Sequence, residues 1–93
     1  MSAVFVGDEN FDVSLLERVF SEVVKVNGSI VSKRHVPDKL MEKHDILIYQ
    51  SKYMQHVSAA FIRAANDFGK KIIYVDTCNA GLVLSEVYKE MYS

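Results

Sequence analysis

The 93 residues of this chain are enough for one small domain and leave no room for a second. Hydrophobic residues make up 49% of the chain and charged residues 25%, an ordinary globular balance that argues against intrinsic disorder. Eleven Lys and Arg residues against twelve Asp and Glu residues give a net charge of −1, which argues against nucleic-acid binding through bulk positive charge. We therefore expect a single folded domain over residues 1–93.

The cysteine content and the apolar runs bear on the compartment. Cys78 is the one cysteine of the chain and cannot form an internal disulfide, which favours a reduced, cytoplasmic setting. We interpret it as a small packing residue, not as a reactive thiol. No apolar run approaches the roughly 20 residues of a membrane span, and the N-terminus has no signal-peptide pattern. The expectation is a cytoplasmic protein without a membrane segment.

The first elements along the chain are predicted to be a strand and a helix. The apolar run 3–6 precedes the loop-like segment 7–10 and predicts a short buried strand. Ser14 and Glu17 have the spacing of a capping box. Apolar side chains then recur at helical spacing, namely Leu16, Val19, Phe20, Val23 and Val24. With the stop signal of Gly28, this pattern predicts a helix from about Ser14.

A second strand, a short helix and a third strand follow in the prediction. Ile30 and Val31 centre the second strand. Pro37 suits the first turn of a helix, where its missing N–H costs nothing, and the apolar face of this helix ends near Lys43. The run 45–49 is apolar without alternation, which is typical of a strand covered on both faces.

The last third of the chain predicts a long helix, a fourth strand and a final helix. Apolar residues at helical spacing begin at Met54 and end at Phe68, where Gly69 can close the helix. The run 72–75 predicts the fourth strand. The final helix is expected to start near Asn79.

Strands and helices thus alternate, and every strand lacks a hairpin turn signal, which favours a parallel sheet with helices on both faces. Strands one and three are the most continuously apolar and are expected at the centre, which gives the sheet order 2-1-3-4. The prediction is an α/β fold, a small doubly wound, Rossmann-like or flavodoxin-like domain.

A site in such a fold would lie beyond the carboxyl ends of the strands, where the strand order reverses between strands one and three. The loops 7–10, 50–56 and 76–81 are expected to meet there, with the residue after strand two approaching from the side. The candidate ligand-binding residues on these segments are Ser51, Lys52, Tyr53, His56, Thr77, Asn79 and His35.

The chemistry of these residues favours an anionic ligand. Ser51 and Lys52 stand near a helix start, where backbone N–H groups attract anions, and Lys52 adds a positive charge. Thr77 and Asn79 carry hydrogen-bonding groups, although helix capping alone would also explain them. A helix cap followed by solvent-facing polar residues would equally explain the segment 51–56. The loop after Gly7 lacks the GxGxxG spacing, so a dinucleotide cofactor is not expected.

Catalytic and metal-binding patterns find little support. His35, His44 and His56 have neither HExxH spacing nor a CxxC companion, so we expect no metal site and no cofactor. Ser51 lacks a nucleophile elbow, and Leu84 stands where a phosphatase loop starting at Cys78 would need arginine. A binding role is favoured over catalysis, with a small hydrolase or transferase as a third possibility.

Several short motifs are similar to a family of small bacterial Rossmann-like domains of unknown function. They are the strand 45–48, the Ser51, Tyr53 and His56 turn, and the run 69–75. His35 would match a histidine which that family carries after its second strand. The chain departs from the family at Gln55, where serine is usual, and at 36–37, where glycine and arginine are usual. The resemblance implies a fold and a polar rim, not a reaction.

A second resemblance is to the BRCT domain, which has a similar length and a parallel sheet of the same order. Gly28 before the second strand, the stretch 65–69, and 72–73 ahead of Cys78 are similar to its landmarks. The chain lacks the family's tryptophan, and Val6 stands where the phosphopeptide-reading Ser or Thr would be. This resemblance implies a protein-interaction module in DNA maintenance or signalling.

The leading expectation is a non-catalytic binding or regulatory domain for an anionic ligand, such as a nucleotide or phosphate ester. The alternative is a protein-interaction module. In that case the exposed edge of strand four, at 72–74, could pair with a second copy of the chain to form a homodimer.

Overall fold

The computed structural model describes residues 1–27, 36–51 and 59–92. In this part of the chain four strands form one all-parallel sheet of order β2-β1-β3-β4, as predicted. The strands are β1 (Ser2–Gly7), β2 (Glu22–Asn27), β3 (Ile46–Gln50) and β4 (Lys71–Val75). A 3₁₀ helix over Val13–Arg18 and three α-helices complete the fold: α1 (Pro37–Lys43), α2 (Ala59–Asp67) and α3 (Ala80–Tyr92).

The core is divided between the two faces of the sheet. Alternate residues of a strand point to opposite faces, so Ala3 and Phe5 of β1 pack with the 3₁₀ helix and α3. Val4 and Val6 pack with α1 and α2 on the other face. The two central strands are therefore covered on both sides, which is why their sequences are apolar without alternation.

The predicted first helix is wrong over most of its length. Only Val13–Arg18 is helical, as a 3₁₀ helix, and its N-cap is Asp12, whose carboxylate accepts a hydrogen bond of 3.0 Å from the Ser14 backbone N–H. This bond is the main reason that the pKa of Asp12 is lowered. The residues Val23 and Val24, expected on the helix, belong to β2.

The reason is that β-branched side chains favour the extended backbone. Val23 and Val24 have the spacing of a helix face, but they form β2 beside β1, where Val24 lies opposite Val4. The strand predicted at Ile30 and Val31 falls outside the described residues, and β2 takes its place in the sheet.

The later elements agree with the sequence prediction where they are described. Pro37 begins α1, and Gly69 has a positive φ of 66° just after α2. The Asn79 side chain caps α3 by accepting a 3.1 Å hydrogen bond from the Leu82 N–H. Met54, the expected first apolar residue of the long helix, lies outside the described residues.

The amino ends of β1 and β3 are joined by two hydrogen bonds. The Asp45 carboxylate accepts a bond of 3.0 Å from the Ser2 N–H, and the Asp45 N–H donates one of 3.0 Å to the Ser2 carbonyl. The first of these bonds is the main cause of a lowered pKa of Asp45, with the positive charge of Lys70 contributing.

No helix in the described part of the chain has the length and apolar character needed to cross a bilayer.

Candidate functional site

The carboxyl rim of the sheet is organised around the buried side chain of Gln50, the last residue of β3. Its Oε1 atom accepts a hydrogen bond of 2.7 Å from the Asp8 N–H, and its Nε2 atom donates one of 2.8 Å to the Thr77 carbonyl. The side chain is fully buried. Gln50 thus connects the loop after β1 to the loop after β4 across the end of β3.

Gly7 is required by this arrangement. A Cβ atom at Gly7 would lie 2.8 Å from the Gln50 Cβ and 2.9 Å from the Phe5 Cε1, closer than carbon atoms normally approach. Its φ angle is not positive, so the reason for glycine is the close approach of Gln50 and not a special backbone conformation.

A cleft of about 300 Å³ lies on the β4 side of Gln50. Because Gln50 occupies the rim between β1 and β3, this described cleft is displaced from the reversal of strand order toward β4 and α3. The residues that line it are Ser51, Tyr74, Val75, Asp76, Thr77 and Glu86. Ser51 and Thr77, two of the expected ligand-binding residues, are therefore brought together from the ends of two strands.

The hydrogen bonds at the cleft hold its wall in place. The Ser51 hydroxyl donates a long bond of 3.4 Å to the Val75 carbonyl. The Thr77 hydroxyl accepts a bond of 3.1 Å from the Asn79 N–H. Asn79 caps α3 and does not line the cleft. Helix capping therefore accounts for the position of Asn79. This is the alternative to ligand binding that the sequence left open.

Two carboxylates give the described wall of the cleft a negative charge. Asp76 directly follows β4, and Glu86 reaches the cleft from the second turn of α3. Sequence reasoning missed Glu86, because only the packing of α3 against β4 brings it there. It also missed Gln50, for which a signal existed: a polar residue at the end of a strand buried on both faces needs internal hydrogen-bond partners.

The other expected site residues fall outside the described part of the chain. Lys52, Tyr53 and His56 follow Ser51 directly in the sequence, and His35 precedes α1. Gly28, the first landmark of the BRCT resemblance, and the strand predicted after it at 30–31 also lie outside the described residues.

Cys78 and the potential metal ligands can be placed in part. Cys78 is exposed, so its interpretation as a packing residue was wrong: it lies on the surface of the loop between β4 and α3. Within residues 1–27, 36–51 and 59–92, no three His, Cys, Asp or Glu side chains come together as a group that could hold a metal ion.

Comparison of the chain with models of known protein families, with curated proteins and with solved structures finds no match in any of the three.

Proposed function

We propose that the chain is a non-catalytic binding domain that holds a small phosphate-bearing ligand, such as a nucleotide, at the carboxyl rim of its sheet. The observation that carries the proposal is the cleft of about 300 Å³ at the ends of β3 and β4, which is lined by Ser51 and Thr77 together with the acidic residues Asp76 and Glu86. Its size is at the lower end of that of small-molecule sites.

The two carboxylates of the cleft would contact a part of the ligand that donates hydrogen bonds. Asp76 and Glu86 would repel a phosphate group but accept hydrogen bonds from the hydroxyls of a sugar, as acidic residues do for the ribose in dinucleotide-binding folds. The phosphate would then lie toward Ser51 and Lys52, where the chain supplies a hydroxyl and a positive charge in succession. A sugar phosphate carries both groups.

Binding is favoured over catalysis by the surroundings of the cleft's hydroxyls. The Ser51 hydroxyl is directed at the Val75 carbonyl, and the Thr77 hydroxyl accepts from the Asn79 N–H. A nucleophilic hydroxyl needs a general base as its hydrogen-bond partner. Neither the Val75 carbonyl nor the Asn79 N–H can remove a proton, so these hydrogen bonds among the described residues favour binding.

Titration with adenosine monophosphate, ribose 5-phosphate and inorganic phosphate, followed by amide NMR shifts, tests the proposal. The two sugar phosphates should shift the amide signals of Ser51, Asp76 and Thr77, whereas inorganic phosphate should leave those of Asp76 and Thr77 unchanged. Lys52→Ala should weaken binding of the sugar phosphates about tenfold, since it removes a charge-assisted contact.

Lys89→Ala is the matched control, because Lys89 is an exposed lysine of α3 that does not line the cleft. It should leave the affinity unchanged. If none of the three compounds shifts the signals of Ser51, Asp76 or Thr77 at millimolar concentration, the proposal is wrong.

A protein-interaction role, the alternative function, is favoured by a different observation. β4 is an edge strand of the sheet, and Tyr74 on it is 56% exposed. Exposed strand edges are sites where another chain can add a strand.

A further inference from the structure

The edge strand β4 carries charges of opposite sign at its two ends. Lys70 and Lys71 stand at its start, and Asp76 directly follows its last residue, Val75. Its inner edge pairs with β3, while no described strand lies along its outer edge. A strand that is positive at one end and negative at the other is complementary to an antiparallel copy of itself.

We propose that two copies of this chain associate through their β4 edges, antiparallel and about a two-fold axis, to form one continuous sheet that joins the four described strands of each copy. The occupant of the edge is thus a second copy of the chain. The inference goes beyond ligand binding and does not depend on it.

The register follows from the direction of the β4 carbonyls. The Val75 carbonyl accepts from Ser51 and so faces β3. Because alternate residues of a strand direct their backbone groups to opposite edges, Ile72 and Tyr74 direct theirs outward. The antiparallel register that uses these outward groups and pairs the greatest length of the two β4 strands has its two-fold axis at Ile73. In this register Ile72 lies opposite Tyr74 of the second copy.

This register pairs compatible side chains on the α1 and α2 face. Ile72 packs against the core of that face, and Tyr74 makes an edge-on ring contact with Tyr49 of the same core, at 6.0 Å between ring centroids. An Ile–Tyr pair is a favourable cross-strand combination, and the two-fold axis produces it twice. Two residues further along the strand and on the same face, Lys70 lies opposite Asp76 of the second copy.

The same register brings positive charge to the acidic cleft. Lys71 lies on the α3 side of the sheet, because its Nζ atom donates a hydrogen bond of 2.6 Å to the Glu90 carbonyl. In the dimer Lys71 would lie opposite Val75 of the second copy, on the side where Glu86 lines the cleft. In this register Lys70 of each copy thus lies opposite Asp76 of the other, and Lys71 lies on the same side of the sheet as Glu86.

Light scattering over a dilution series tests the inference, with the free chain of 10.6 kDa as the reference mass. The wild-type chain should show twice this mass at high concentration. Lys70→Glu and Asp76→Lys should each weaken the dimer about tenfold, because each places like charges opposite one another in both symmetric pairs. The double variant, Lys70→Glu with Asp76→Lys, should restore the dimer, since the pair is re-formed with its signs exchanged.

Lys89→Glu, at an exposed position of α3, makes the same charge change as Lys70→Glu away from β4 and should leave the dimer intact. Circular dichroism of each variant shows that the chain is folded. A wild-type chain that stays at 10.6 kDa at all concentrations overturns the inference and leaves Lys70 and Lys71 as charges that protect the edge from pairing. A dimer that neither single variant weakens overturns it equally.

Discussion

At the scale of single residues, Gln50 determines how the carboxyl rim is built. Its two amide atoms cannot be exchanged, because the Asp8 N–H needs an acceptor and the Thr77 carbonyl needs a donor. No buried side-chain nitrogen or oxygen in the described residues is without a hydrogen-bond partner, so this amide meets the usual condition for a polar group in a core. A substitution that supplies only one of the two roles leaves the other group unsatisfied.

Gln50→Glu is expected to destabilise the protein by about 2–4 kcal/mol at neutral pH, since a buried carboxylate can accept from Asp8 but opposes the Thr77 carbonyl. Burial raises the pKa of such a carboxyl above the ordinary value of about 4.3. The destabilisation caused by ionisation of this carboxyl is therefore absent below its pKa in the unfolded chain. It grows as the pH rises toward its pKa in the folded chain. Urea unfolding at neutral and at acidic pH measures it.

Asn66→Asp is the control for this prediction, because it makes the same amide-to-acid change at an exposed position on α2. It should change the free energy of unfolding by less than about 1 kcal/mol. If Gln50→Glu is as stable as the wild type at neutral pH, Gln50 does not bridge the two loops.

At the scale of elements, β2 shows how one apolar pattern can serve two structures. Val19, Phe20, Val23 and Val24 have the spacing of a helix face, but the chain turns at Phe20 after the 3₁₀ helix. The Ser21 N–H then bonds to the Met1 carbonyl, at 2.9 Å, and pairing with β1 begins at Glu22. The tertiary pairing with β1 therefore decides the structure of this segment.

Val24→Leu distinguishes the strand from a helix. Leucine has the higher helix propensity but the lower strand propensity, so this variant should be destabilised by about 0.5–1 kcal/mol in a strand and slightly stabilised in a helix. Val24→Ile, which keeps the β-branch, should retain wild-type stability and is the matched control. Thermal or urea unfolding gives both values, and a stabilised Leu variant would contradict β2.

At the scale of the whole molecule, Asp45 links the amino ends of the two central strands, so its ionisation affects the stability of the entire sheet. The Ser2 N–H keeps the folded pKa of Asp45 below its unfolded value. The contribution of this bond to stability is therefore present above the unfolded pKa of about 3.9 and is lost as the pH falls through the folded pKa.

Asp45→Asn should slightly destabilise the chain at neutral pH. As the pH falls below the unfolded pKa of Asp45, the variant should then lose less stability than the wild type, because its side chain does not titrate. Acid unfolding followed by circular dichroism measures both effects. Asp67→Asn, at the exposed end of α2, controls for the loss of a carboxylate. An acid transition that is the same in the wild type and in Asp45→Asn would contradict the role assigned to the Ser2 bond.

The sheet order could be predicted from the sequence, because burial on both faces leaves a direct mark in runs such as 3–6 and 45–49. The position of β2 could not be predicted, because the spacing of Val23 and Val24 indicates a helix whereas their β-branched side chains favour a strand. Ser51 and Thr77 could be placed at the rim because each follows a strand. Glu86 could not, since its distance from β4 depends on how α3 packs.

The hydrogen bonds from Gln50 and Asn79 to Thr77 have a consequence for the way in which a ligand would bind. They immobilise the segment between β4 and α3 when the chain folds, so the conformational entropy of this wall is lost at that stage. Association with such a preorganised wall requires little further ordering of it. At this side of the cleft, selectivity would then come from the fixed spacing of its oxygen atoms and not from adjustment of the loop to each compound.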